Sequence, residues 1–101
     1  MALSVLIPRT VKVTIAVTNT AQKLFGVAVP RTNSIKMNAK VGNATVIYYG
    51  DSSVSLTTSL GNPLIAGAST DIQTISLIST ESLFVSGTAG DVLNVFYLEQ
   101  K

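Results

Sequence analysis

The chain is 101 residues long, the size of one domain, with 47 % hydrophobic and only 12 % charged residues, against about 25 % charged in a usual globular protein. It has no cysteine and no histidine, which excludes disulfides, thiolate metal sites and imidazole acid–base chemistry, and no cofactor is expected. The net charge of +2 is unevenly spread: residues 1–43 carry Arg9, Lys12, Lys23, Arg31, Lys36 and Lys40 with no acid, while residues 44–101 carry Asp51, Asp71, Glu81, Asp91 and Glu99 against Lys101. Six bases over that length, with Phe25 the one aromatic residue among them, do not make a nucleic-acid groove. No apolar run reaches the roughly 18 residues of a membrane-spanning helix, and the apolar Met1–Ile7 lacks a basic n-region and is cut short by Pro8-Arg9, so neither a membrane nor a signal peptide is expected and synthesis is placed in the cytoplasm.

Valine and isoleucine number 20 and serine and threonine 23, a composition that favours strands with hydroxyl-rich outer faces. Residues 1–9 are expected as an N-terminal arm and residues 10–101 as the domain. Ala2, Leu3, Val5, Leu6 and Ile7 do not alternate with polar residues, and Pro8 lacks the donor a sheet interior needs. An apolar arm of this kind must lie on a neighbouring surface. Val11, Val13, Ile15 and Val17 then alternate with Lys12, Thr14 and Ala16, the period of a half-buried strand. After a turn at Asn19-Thr20-Ala21, Leu24 to Val29 reads as a second strand closed by Pro30.

Ile35, Met37, Ala39 and Val41 alternate with Lys36, Asn38 and Lys40 in a third strand. Gly42-Asn43 turns the chain into Thr45–Tyr49, apolar on both faces and so expected in the middle of a sheet. Gly50 to Ser69 is the longest irregular stretch, and Val54, Leu56, Leu60, Leu64 and Ile65 suggest a loop folded back on the body. Strand character resumes over Thr70–Ile78, and Ser82–Ser86 and Val92–Leu98 flank Gly87-Thr88-Ala89-Gly90-Asp91, a hairpin pattern. Seven or eight short strands with no helical periodicity predict a single all-β domain, an antiparallel β-sandwich of jelly-roll or immunoglobulin type.

Chemistry for catalysis is thin, and the chain is read as not an enzyme. Asp51 and Asp71 bracket the long loop and are the candidates for a carboxylate pair, which would have to stand roughly 5–9 Å apart across a cleft; the competing reading is that the acids cap turns. Asp51-Ser52-Ser53 offers one carboxylate and two hydroxyls to a calcium ion, a meagre ligand set. Tyr48 and Tyr49, being adjacent, face opposite sides of their strand, so one belongs to the core and the other to a sugar platform, an interface or a sheet surface.

Three motifs carry a resemblance. Val46-Ile47-Tyr48-Tyr49-Gly50-Asp51-Ser52-Ser53-Val54, then Leu60-Gly61-Asn62-Pro63-Leu64-Ile65-Ala66-Gly67-Ala68-Ser69, then Leu83-Phe84-Val85-Ser86-Gly87-Thr88-Ala89-Gly90-Asp91-Val92 resemble, in order and spacing, the strand-and-turn motifs of small structural proteins of tailed bacteriophages, among them capsid decoration (cement) proteins and head-fibre modules. The resemblance spans residues 32–98 and departs at Ile65-Ala66-Gly67, where a proline commonly precedes the glycine. It implies a compact β-sandwich, often a homotrimer, bound to the outer head surface of a virion. The leading expectation is therefore a decoration protein whose partners are its own copies and the major capsid protein; a receptor- or glycan-binding module of a fibre or tail is the alternative. The expected partner contacts are Leu3, Val5, Leu6, Ile7 and Arg9 of the arm, Lys36 and Lys40, and Tyr48 and Tyr49.

Overall fold

The computed structural model describes residues 6–25, 32–78 and 82–100. Eight strands form two four-stranded sheets. Sheet I runs in the order β1 (Leu6–Thr14), β8 (Val92–Gln100), β3 (Thr32–Ala39), β6 (Ser69–Ile78), and sheet II in the order β2 (Gln22–Lys23), β7 (Phe84–Ser86), β4 (Ile47–Gly50), β5 (Asn62–Leu64). Every pairing is antiparallel. Apart from the β4–β5 hairpin, each strand is followed by one in the opposite sheet, and the two interleaved orders are those of a jelly roll.

Alternation sets which side of each strand is buried. Val13 of β1, Ile35, Met37 and Ala39 of β3, and Leu93, Val95 and Tyr97 of β8 face Ile47 of β4, Leu64 of β5 and Val85 of β7 across the core. Leu24 and Phe25 close its side, with the Phe25 ring edge-on to Tyr97 at 5.3 Å between centroids, a favoured aromatic geometry. β4 is an inner strand of sheet II, as its apolar run implies.

Several expectations change. Residues 1–5 of the expected arm lie outside the described residues; from Leu6 on, the chain pairs with β8 through Leu6↔Gln100, Pro8↔Leu98 and Arg9↔Tyr97. Pro8 is tolerated because β1 is an edge strand, where one side of the backbone needs no donor. The second strand described is Gln22–Lys23, ahead of the expected start at Leu24: Leu24 and Phe25 are core residues beyond its end, and residues 26–30 of the expected strand lie outside the described residues. The long loop contains a further strand, β5, unexpected because it is three residues long and includes Pro63. Gly87–Asp91 is not a hairpin turn. It carries the chain from β7 in sheet II to β8 in sheet I.

The loop does fold back. Val54 is buried, and its Cγ1 would lie 3.0 Å from a Cβ placed on either Gly50 or Gly61. Gly61 also has φ +124°, open to glycine and strained for other residues. Asn19 ties the loop's far side down, its Oδ1 accepting from the Thr57 N–H at 2.8 Å and the Ser55 hydroxyl at 3.2 Å.

Candidate interaction surfaces

With the inner positions filled by apolar side chains, the outer face of sheet I displays the other half of the alternation. Register places Thr10, Phe96, Lys36 and Asp71 in one row across the four strands, and Lys12, Asn94, Asn38 and Ser69 in the next. Lys40 follows on the same side of β3, beside Val92, whose carbonyl accepts from the Lys40 N–H. Lys12, Lys36 and Lys40 are all exposed. Lys36 is the register partner of Phe96, which is 41 % exposed; Lys12 lies one row away and Lys40 a row beyond that, toward the loop end. Among the described residues this face therefore carries three cations, one acid and an exposed aromatic side chain, a combination suited to an acidic protein surface, with the ring as anchor and the lysines orienting approach.

The second surface is the end of the sandwich where four loops meet. The loops 15–21, 87–91, 40–46 and 65–68 follow the order of the sheet I strands they adjoin. They are tightly cross-linked. The Ile15 N–H donates to the Asp91 carbonyl and the Gly90 N–H to the Ile15 carbonyl, both at 2.9 Å, while Gly67 donates to Ala39 at 2.8 Å. Asn43 makes a reciprocal pair with the Val92 backbone at 2.9 Å in each direction. Asp91, buried, accepts from the Ala44 N–H at 2.8 Å and the Thr45 N–H at 3.1 Å. On this rigid base stand Val17, Val41 and Ile65, which are 58 %, 79 % and 60 % exposed. Alternation had assigned Val17 and Val41 to the core. The strands end before them, at Thr14 and Ala39, and the turn residues that follow each in sequence, Asn19 and Gly42, are the signal that the pattern stops there.

The remaining expected contacts divide. Leu3 and Val5 lie outside the described residues; Leu6 opens β1 and Ile7 is half-buried. Arg9 is engaged within the chain, its Nη2 3.2 Å from Glu99 Oε1. Tyr49 turns onto the core, with its hydroxyl 3.3 Å from Thr70 Oγ1. Tyr48 points the other way and is half-buried beside Gly61. Asp51 sits in the turn after β4 and Asp71 on the outer face of sheet I opposite Lys36, so the two acids belong to different sheets. Asp51 caps its own turn: the Ser53 hydroxyl and backbone N–H both donate to it and hold its carboxyl below the ordinary carboxylate value. Phe96 and Ile65 were not anticipated as contacts. Phe96 shares the outward parity of Asn94, the feature that could have identified it.

No protein-family model matches the chain, and no curated protein matches it in sequence. Among solved structures, a chain from one entitled "Bacillus endospore appendages form a novel family of disulfide-linked pili" aligns over 95 % of this chain and 90 % of its own length, with a TM-score of 0.46 and 14 % identity. A likeness at that level carries no role across to this chain.

Proposed function

We propose that the protein is a virion structural protein of a tailed bacteriophage, a decoration protein that binds the outside of the head and stabilises it by bridging major capsid subunits. The role is mechanical and needs no cofactor or reaction. The reading rests on the resemblance over residues 32–98, and the observation that carries it is the outer face of sheet I, where Lys12, Lys36 and Lys40 are exposed on the same side as an exposed Phe96. A surface of this kind docks on an acidic partner, and a shell repeats that partner many times, so modest single contacts add up.

Purified protein incubated with empty capsids and, separately, with host cells should co-sediment with the capsids. Lys36→Ala combined with Lys40→Ala should slow binding roughly threefold or more at low salt, with a much smaller change in dissociation, because exposed charges steer encounter more than they hold the complex. Phe96→Ala should instead speed dissociation. Binding to cells and not to capsids would favour the fibre or tail module.

A further inference from the structure

The four-loop end has a composition the docking face lacks. Of the five large hydrophobic residues exposed among the described residues, three (Val17, Val41 and Ile65) stand on this one end, and Lys40 is its one exposed charge. Every residue of the four loops is among those described, and the cross-loop hydrogen bonds already given hold the loops to one another near the strand ends, so less ordering entropy is left to lose on contact.

We propose that this end is a contact between two copies of the chain, related by a twofold axis and meeting end to end. Area, pattern and charge each fit a second copy as the occupant. The molecule measures 49 × 25 × 21 Å, so its end presents about 500 Å², and an end-to-end pair buries about 1,000 Å² in total, the lower limit for a specific interface. The second is pattern. Along the row of loops the apolar tips run Val17, Ala89, Val41, Ile65. A twofold axis across the row reverses that order on the partner, setting Val17 against the partner's Ile65 and Ala89 against the partner's Val41, each side supplying what the other lacks. The third is charge. The same axis sets each Lys40 against the other copy's 87–91 loop, which has no exposed charge, whereas an axis along the row would bring the two lysines together.

The sheet edges do not offer a competing self-contact. β1 carries Pro8, Arg9 and Lys12; β2 is two residues with Lys23; β5 is three with Pro63. In β6 the pairs Ser34↔Gln73 and Thr32↔Ile78 leave Thr74–Leu77 opposite Asn33 alone, an irregularity that spoils edge pairing.

The absence of native cysteine makes the geometry directly readable. Val17→Cys and Ile65→Cys are each prepared alone, then mixed and mildly oxidised. The mixture should form disulfide-linked dimers at least tenfold faster than either variant by itself. Sedimentation of the parent should show a dimer at 100 µM, and Val41→Asp with Ile65→Asp a monomer with an unchanged melting temperature. A monomeric parent, equal cross-linking in the unmixed variants, or a dimer that survives the aspartates would overturn the proposal. A trimer, the stoichiometry implied by the phage resemblance, would overturn it too while leaving capsid binding, measured separately, intact.

Discussion

Asp91 lies where three loops converge, and its two carboxylate oxygens reach different backbone groups. Oδ1 takes the Ala44 N–H and Oδ2 the Thr45 N–H, with the Thr45 hydroxyl 3.4 Å away. Asp91→Ala would leave both amides without their acceptor in a half-buried turn, at a cost of about 2–3 kcal/mol, read as a drop in the urea midpoint with an unchanged slope. A change below about 0.5 kcal/mol would show that water replaces the carboxylate freely. Asp51 behaves differently because it is exposed. Its carboxyl is lowered first by the Ser53 hydroxyl and then by the Ser53 N–H. A lowered folded value means its contribution is complete above the unfolded value of about 3.9 and fades as pH falls through the folded one. The stability gap between the parent and Asp51→Asn should therefore be flat above about pH 5 and close in acid; a gap that widens in acid would contradict the assigned partners. That the acids cap turns was legible from Gly90-Asp91 and Asp51-Ser52-Ser53 alone. Which loop Asp91 caps was not, since Ala44 and Thr45 lie 46 or more residues away.

The strands show where pattern reading stops. Alternation identified β1 and β3 and their buried sides, because a period of two fixes a face wherever one side meets a core. It overran at Val17 and Val41, since apolar spacing alone does not mark where pairing ends. It missed β5, whose three residues are too few for any period. It also paired β7 with β8, because a Gly-rich turn says that the chain reverses and not whether it changes sheets. The guarded edges lead to a prediction. Pro8 and Lys12 are exposed on β1, outside the core, so replacing both by Val should leave the fold intact while removing a missing donor and a charge from the longest regular edge. Light scattering should then detect aggregation at concentrations where the parent stays monodisperse. Equal behaviour would mean the edge is protected by something else.

Across the whole molecule the division of charge along the sequence does not become a division in space. The jelly-roll order sets early strands beside late ones: Arg9 of β1 meets Glu99 of β8 at 3.2 Å, and Lys36 of β3 stands opposite Asp71 of β6. Exposed pairs of this kind contribute about 0–1 kcal/mol, so their main effect is on the surface potential. Sequence alone shows that Lys12, Lys36 and Lys40 point outward. That they share one face with Phe96 depends on β8 lying between β1 and β3, a long-range fact with no local signature.

That same closure of β1 on β8 has a kinetic side. Leu6 and Gln100 are register partners, so β1 has no strand neighbour until β8 has been made, and the link from β1 to β3 waits with it. Bringing such distant segments together costs loop-closure entropy before any contact repays it, which places refolding in the millisecond-to-second range of all-β topologies. Joining Gln100 to Leu6 by a short glycine-rich linker and opening the chain at the exposed tip between Thr58 and Ser59 would make that pairing local. The permuted protein should refold at least tenfold faster and unfold at nearly the parent rate. If stopped-flow fluorescence finds the two refolding alike, the slow step lies in the crossings between sheets and not in the pairing of β1 with β8.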